Sequence, residues 1–108
     1  MEIANPEANV PHGEVRYVLK LYVAGSSGSS MRAIERAYAF CEAHIAGCYE
    51  LSVIDLYQQP ELASQAQIVA TPTLVRHLPL PLRQIIGDLS NTGRIFAALE
   101  IEPAAGER

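Results

Sequence analysis

Basic side chains are scarce in this sequence. It contains eight Lys and Arg residues against twelve Asp and Glu residues, and its formal net charge is -4. Binding to a nucleic acid or to an anionic membrane surface requires clustered cations that neutralise phosphates. The composition therefore argues against both kinds of partner and favours a protein partner or a small ligand.

Long hydrophobic runs and cysteines are also scarce. Lys20 interrupts the best apolar run, whereas a membrane-spanning helix needs about 18 apolar residues. Cys41 and Cys48 are the only two cysteines, which is too few for a disulfide scaffold, and a reducing cytosol would keep both as thiols. We therefore expect a cytoplasmic protein without a membrane anchor.

The length and composition suit one domain. A chain of 108 residues, 49% of them hydrophobic, can bury a core of its own. Residues 1–14 have neither the basic start nor the apolar stretch of a signal peptide, and we interpret them as a flexible N-terminal extension. We expect the domain to cover residues 15–102 and a polar C-terminal tail to cover residues 103–108.

Apolar periodicity predicts the regular elements of the first half. Apolar residues at every second position predict a strand over residues 15–23. Steps of three and four residues then predict a helix that Ser29 or Ser30 caps and that ends before Gly47. A second strand is predicted over residues 49–56, and the helical crossover favours parallel pairing of the two strands.

The second half predicts two further helices around a hairpin. The expected elements are a short helix over residues 60–68, strands over residues 73–78 and 82–86 with a proline-rich turn between them, and a last helix that begins at Asp88 or Ser90. The complete order, βαβ followed by αββα, is an α/β arrangement of the thioredoxin-like type.

Thr71 and Pro72 stand just before the third predicted strand, where thioredoxin-like folds keep a cis proline. The cis form of an X-Pro bond costs little, so we predict that the bond before Pro72 is cis and presents the backbone of Thr71 to a ligand or partner. The alternative is a trans proline that merely begins a strand.

The loop over residues 25–30 reads "GSSGSS", where a thioredoxin-type redox protein would carry Cys-x-x-Cys. Redox catalysis needs an activated thiolate at the start of a helix with a second thiol beside it. Cys41 instead falls on an apolar helical stripe and Cys48 follows Gly47, so we predict no catalytic residue. Cys41, His44 and Cys48 lack a fourth ligand, so we predict no metal site and no cofactor.

The stretch "IIGDLSN" over residues 85–91 offers an enzyme interpretation. An acidic residue and a serine before the last helix resemble the glutamyl-binding corner of glutathione transferases. Pro72 and a serine after the first strand add to this partial match. A glutathione-linked transferase or reductase is therefore an alternative function.

Four stretches together resemble the KaiB family, which supplies the clock-associated partner of the ring-shaped ATPase KaiC. They are "YVLKLYVAG" at 17–25, "VIDL" at 53–56, "PELA" at 60–63 and "ATPTLVRHLPLPLRQIIGDLSN" at 70–91. The proline-rich hairpin followed by Ile-Ile-Gly-Asp-Leu-Ser is highly specific, and the resemblance extends from Tyr17 to about Ile101.

The resemblance implies a non-enzymatic protein that binds a KaiC-type ATPase and tunes its phosphorylation or ATPase cycle. It also implies that the second half of the chain can pack in two ways, thioredoxin-like when bound and rearranged in a resting tetramer or dimer. A histidine kinase that carries a KaiB-like domain is the implied competitor. A KaiB-like sensor module in stress signalling is a further alternative.

Transferred position by position, the resemblance implies two sets of site residues. The candidate partner-facing cations are Lys20, Arg32, Arg76 and Arg83. The segment that rearranges includes Pro72, Pro79, Pro81, Gly87, Asp88 and Ala98.

The chain departs from the family pattern near its end. The usual Gly-x-Asp is here Ala98, Leu99 and Glu100. Gly costs about 1 kcal/mol relative to Ala inside a helix, so Ala98 should favour the form in which this segment is helical by roughly fivefold. Clock members also tend to carry Lys where this chain has Ser52 and Gln67.

Overall fold

The computed structural model describes residues 15–103, which form a four-stranded sheet with three helices. The strands are β1 (Tyr17–Val23), β2 (Tyr49–Asp55), β3 (Thr73–Leu78) and β4 (Arg83–Ile86), and the helices are α1 (Gly28–His44), α2 (Glu61–Gln65) and α3 (Thr92–Leu99). The predicted extension at residues 1–14 and the tail after Pro103 lie outside the described residues.

The strand order is β2-β1-β3-β4. β1 pairs in parallel with β2, from Tyr17 opposite Tyr49 to Val23 opposite Asp55. β3 pairs antiparallel with β1 on one side and with β4 on the other. The predicted parallel pair and hairpin are both confirmed, and the arrangement is thioredoxin-like.

The hydrophobic core lies on the face of the sheet that α1 and α3 cover. Alternate β1 residues, such as Leu19 and Leu21, are completely buried there, because successive side chains of a strand point to opposite faces. Ala33 and Ala37 of α1 are also fully buried, as is Leu99 of α3. The small alanines allow α1 to lie close to the strands. Within residues 15–103, no helix is both long and apolar enough to cross a membrane.

The start of α1 differs from the prediction that Ser29 or Ser30 caps it. Ser27 is the N-cap, and its side chain accepts a hydrogen bond from the backbone N–H of Ser30 at 3.2 Å. Ser30 is unavailable as a cap because it is buried and its hydroxyl donates to the carbonyl of Ala24 at 3.2 Å. With several serines in one loop, their hydrogen bonds within the loop decide which one becomes the cap.

The last helix also starts later than Asp88 or Ser90. Asn91 is the N-cap of α3, and its side chain accepts from the backbone N–H of Arg94 at 3.0 Å. Leu89 is buried and has a φ of 63°, a left-handed conformation that a helix interior does not accommodate. Asp88 and Ser90 therefore belong to the turn before the helix.

The second helix is shorter than predicted. α2 covers Glu61–Gln65 instead of residues 60–68. The backbone turns at Gln67, whose φ is 57°, and the N–H of Ile68 then bonds to the carbonyl of Ala63 at 2.8 Å. None of the residues of α2 is buried, so little apolar packing supports a longer helix.

Candidate partner-docking surface

The peptide bond between Thr71 and Pro72 is cis, as predicted. It lies immediately before β3, where the Pro72 carbonyl accepts a hydrogen bond from the N–H of Gly87 at 3.0 Å. The hydroxyl of Thr73 donates to the carbonyl of Ala70 at 2.6 Å. Both contacts hold the start of β3, while Thr71 itself is exposed. A partner at this backbone edge stays a prediction.

The loop before α1 is held by hydrogen bonds to the end of β2. The N–H of Gly25 donates to Asp55 Oδ1 at 2.9 Å, and the N–H of Tyr57 donates to the same oxygen, also at 2.9 Å. Gly25 has a φ of 71°, and a Cβ placed there would come within 2.7 Å of Tyr57 Cδ2. The carboxylate of Asp55 therefore joins the ends of β1 and β2 beneath an exposed tyrosine ring.

The two thiols lie away from this loop. Cys41 is fully buried in α1, and burial, with a smaller contribution from the charge of Glu42, raises the pKa of its thiol to about 12. The thiol therefore stays protonated at neutral pH. Cys48 is partly buried and packs against the core.

His44 belongs to an aromatic cluster at the end of α1. The centroid of its ring lies 5.0 Å from that of Phe40 and 4.9 Å from that of Phe96. In the described part of the chain, no three Cys, His, Asp or Glu side chains are grouped as a metal ion would require. Cys41, His44 and Cys48 therefore do not form such a group.

The four predicted cations do not form one patch. Lys20 is partly buried on β1 and lies opposite Ser52 and Val75. It alternates with Leu19 and Leu21, so it points to the face of the sheet away from α1. Arg32 is exposed on α1. These two candidates therefore lie on opposite sides of the sheet.

Lys20 has an ionisable neighbour on its face of the sheet. Burial, with a smaller contribution from the charge of Lys20, lowers the pKa of His77 below its ordinary value. The Tyr22 hydroxyl lies 3.5 Å from His77 Nε2, and burial raises the pKa of that hydroxyl. His77 is therefore neutral at physiological pH, and Lys20 supplies the positive charge in this cluster.

Arg76 is buried in this form of the protein, so its predicted contact with a partner stays a prediction. It is 4% exposed. Its Nη1 donates to the carbonyl oxygens of Leu99 at 2.8 Å and Glu100 at 3.1 Å, and its Nη2 donates to that of Pro81 at 2.6 Å. The guanidinium is inside the domain because β3 alternation places Arg76 on the same face as buried Leu74.

Arg83 remains a candidate at the same end of the molecule. It lies directly opposite Arg76 in the β3–β4 pair. Its Nε is 3.3 Å from Glu100 Oε2, and its side chain is 41% exposed. A partner could reach this side chain, but it would compete with Glu100 for it.

The predicted rearranging segment surrounds the β3–β4 hairpin. The peptide bonds before Pro79 and Pro81 are both cis. The turn exposes three apolar side chains to solvent, those of Leu78, Leu80 and Leu82.

The rest of this segment lies after the hairpin. Gly87 has a φ of 129°, and a Cβ at that position would meet nothing within 4 Å. Asp88 Oδ2 lies 3.6 Å from Arg36 Nη1, which also donates to the Asp88 carbonyl at 3.0 Å. Ala98 is inside α3 and is partly buried against the core.

Two contact residues in this region, Arg36 and Glu100, were not predicted from the sequence. Arg36 binds Asp88 from α1, and Glu100 binds Arg83 from the end of α3. In each of these pairs the two residues are far apart in the chain, so no local sequence pattern reveals the contact. The position of Arg76 had a usable signal, because it shares its strand face with Leu74.

The sequence comparison decides the family. A model of the KaiB domain matches residues 20–101. The chain belongs to the KaiB family. It is 48% identical over 85 residues to the circadian clock oscillator protein KaiB of Synechococcus sp. (strain RCC307). This alignment covers 79% of this chain and 77% of that protein. It is 42% identical over 88 residues to the circadian clock protein KaiB3 of Synechocystis sp. (strain ATCC 27184 / PCC 6803 / Kazusa), with 82% and 86% covered.

The solved structures agree on the fold of this KaiB-family chain. The N-terminal domain of Synechococcus elongatus SasA matches with a TM-score of 0.60 and 25% identity, over 68% of this chain and 70% of that one. Mitochondrial thioredoxin 3 from Saccharomyces cerevisiae matches with a TM-score of 0.63 over 80% and 78%. At 17% identity, this second likeness shows the fold alone. The relatives named above carry the names of clock proteins, which supports a clock role for this chain.

Proposed function

We propose that this chain is a non-enzymatic timing protein that binds a KaiC-type ATPase and modulates its phosphorylation or ATPase cycle. The observation that carries the proposal is the KaiB match over residues 20–101, which spans almost the whole described domain. The buried, protonated thiol of Cys41 is consistent with a protein that acts by docking. The partner would recognise a surface and not a reactive side chain.

Three cations are the candidate contacts for that partner. Lys20, Arg32 and Arg83 each keep part of the side chain accessible in this form. Because Lys20 and Arg32 lie on opposite sides of the sheet, a single flat interface would use only one of them together with its neighbours. A KaiC-type partner that needs both would have to wrap around the edge of the domain.

A pull-down with the KaiC-type ATPase from the same source tests this proposal. Long incubation allows for slow rearrangement of the chain. We expect retention of the unmodified protein and weaker retention of Lys20→Glu or Arg32→Glu, whichever lies in the interface. Arg94→Glu, at an exposed position of α3, is the charge-matched control. Absence of binding by the unmodified protein would remove the proposal.

We also propose that the second half of the chain repacks in a resting tetramer or dimer, and that the rearranging segment includes Pro72, Pro79, Pro81, Gly87 and Asp88. Ala98 lies in α3, so we expect it to raise the thioredoxin-like population by about fivefold relative to Gly. Amide NMR and sedimentation of the free protein and of Ala98→Gly measure this population. A sample that is purely tetrameric, with no thioredoxin-like form, would refute the expectation.

We also propose a competitor for the KaiC-type ATPase. A histidine kinase that carries a KaiB-like domain would compete for the KaiC-type ATPase, and the fold likeness to the SasA N-terminal domain supports this possibility. Addition of such a domain to the pull-down should displace this chain in proportion to its concentration. If the amount of retained chain does not fall as the kinase domain is added, the two proteins do not compete.

A glutathione-linked enzyme is the second candidate. The observation that favours it is the turn in which Asp88 Oδ1 accepts from the N–H of Ser90 at 3.1 Å. Glutathione affinity chromatography tests it directly. Retention on the column with thiol-dependent turnover would favour the enzyme, whereas no retention and no turnover would eliminate it.

A further inference from the structure

Arg76 is a buried cation that donates three hydrogen bonds to backbone carbonyls. Its three acceptors belong to two separate elements, the C-terminal end of α3 and the tip of the hairpin. Its charged neighbours include Arg83, directly across the β3–β4 pair, and Glu100, whose carboxylate is 3.3 Å from Arg83 Nε. The Nε of Arg76 is buried without a hydrogen-bond partner among the described residues.

The acceptors on α3 are suited to a cation. The last carbonyls of a helix have no partner within the helix, and the helix dipole makes this end partly negative. Leu99 is the final residue of α3, and Glu100 is its C-cap with a φ of 52°. The guanidinium therefore supplies donors that the end of the helix lacks.

We infer that Arg76 is a latch that couples the hairpin tip to α3, so that the two elements open together as one unit. If either element moved alone, the guanidinium would lose part of its hydrogen bonding while still buried. An incompletely bonded buried charge is costly, so partial opening is disfavoured relative to joint opening. The outer pair of Arg83 and Glu100 reinforces the same junction, but it is half-exposed and therefore weaker.

Lysine would not replace this latch. A guanidinium has a planar fork of five donors, so Nη1 can bind the end of α3 while Nη2 binds the hairpin. An ammonium group is a single point of charge on a stem. The inference concerns the free protein; only its further consequence, that the latch must break when the second half repacks, rests on the proposed function.

Native-state hydrogen exchange tests the latch without any partner. In the unmodified protein, we expect the amides of β4 and of α3 to share one opening equilibrium, separate from that of β1 and α1. In Arg76→Lys, the amides of β4 and α3 should exchange roughly tenfold faster or more, since at least one hydrogen bond from a charged donor is lost. Arg94→Lys makes the same substitution at an exposed position of α3 and should leave these rates unchanged.

Three results would overturn the inference. The first is unchanged exchange in α3 of Arg76→Lys. The second is an equal loss of protection in all elements, including β1 and α1, because Arg76 would then be a general core residue. The third needs no variant and applies even if Arg76→Lys fails to fold: in the unmodified protein, β4 and α3 open independently of each other. A KaiC-type pull-down that fails would leave these rates unaffected, so the two proposals fail separately.

Discussion

The first half of the domain, residues 17–55, and its second half, residues 61–101, are held in different ways. In the first half, the fully buried side chains of β1 and α1, such as Leu21 and Ala37, pack into one apolar layer. In the second half, β3, β4 and α3 also contribute buried side chains to this core, but the hairpin and α3 are held in addition by hydrogen bonds and ion pairs from Arg76, Arg83 and Asp88. Apolar burial is spread over many atoms, whereas the polar contacts depend on a few groups.

This difference teaches where the molecule can change. Loss of a single apolar contact between two atoms changes the stability of the domain little, because each such contact is weak and non-directional. Loss of one donor can release two elements that share it, because hydrogen bonds are directional. We therefore expect α3 and the hairpin to open before β1, α1 and β2. Each of the following predictions would sharpen or break this contrast.

The largest expected effect comes from the apolar layer. Leu21→Ala removes a completely buried side chain from β1, and we expect it to lower the free energy of unfolding by about 2–5 kcal/mol. Leu80→Ala, at a hairpin leucine that is 73% exposed, should change it by less than about 0.5 kcal/mol. Urea denaturation measures both. Similar costs for the two variants would contradict the contrast.

The next largest effects are expected from replacing one glycine in each half, Gly25 and Gly87, by alanine. Gly25→Ala forces alanine into a φ of 71° and displaces the ring of Tyr57, so we expect a loss of about 2–3 kcal/mol. Gly87→Ala meets no neighbouring atom within 4 Å and should cost about 1–2 kcal/mol from backbone strain alone.

A Tyr57→Ala background is the control for the glycine pair. There the steric part of the Gly25→Ala cost should disappear, so that urea denaturation measures only the backbone strain at a φ of 71°. An undiminished cost of Gly25→Ala in this background would show that Tyr57 is not its cause.

Loss of either helix cap should cost a similar free energy, but the two losses should destabilise different parts of the domain. Ser27→Ala and Asn91→Ala each remove a side-chain acceptor at a helix N-terminus, and each should cost about 1 kcal/mol. The Ser27→Ala loss should appear in global unfolding. The Asn91→Ala loss should appear as faster hydrogen exchange in α3 and β4 only, and uniform acceleration in every element would contradict a separately opening unit.

The smallest effect concerns Asp88 at the junction of the halves. Hydrogen bonds from Ser90 hold the pKa of its carboxyl below the ordinary value, and the charge of Arg36 adds a smaller contribution. A lowered pKa means that the ionised form stabilises the fold above the ordinary pKa and that this contribution is lost as the pH falls through the lowered value.

Carbon-13 NMR titration of the Asp88 carboxyl checks this assignment. Ser90→Ala should raise the pKa of Asp88 more than Arg36→Gln does. The reverse order would mean that the ion pair between the halves, and not the local turn, controls this carboxyl.

Much of the fold was predictable because its signals are local. The alternation of Leu19 and Leu21 with Lys20 indicated the buried face of β1, and the residues around Gly47 indicated where α1 gives way to β2. The exact caps were not predictable in the same way. Ser27 caps α1 because Ser30 is buried and its hydroxyl bonds to Ala24, and Asn91 caps α3 because buried Leu89 has a left-handed backbone conformation.

The candidate site was less predictable than the fold. The resemblance treated Arg76 and Arg83 alike, as surface cations. They lie opposite each other on paired strands, yet one guanidinium is buried against α3 and the other is half-exposed beside Glu100. Charge identifies an arginine in a sequence, but only the packing around it decides whether a partner can reach it.

The amino-acid sequence by itself determined the order of seven elements, the parallel pairing of β1 with β2, the β3–β4 hairpin, the Ser/Gly loop in place of redox cysteines, and the KaiB likeness. These follow from residues within a few positions of one another, whose periodicity and turn chemistry act locally. Only the tertiary structure decided that Arg76 fastens α3 to the hairpin and that Arg83 beside it stays half-exposed next to Glu100. Those outcomes depend on contacts between distant residues, such as Arg76 and Leu99, and such contacts exist only once the chain has folded.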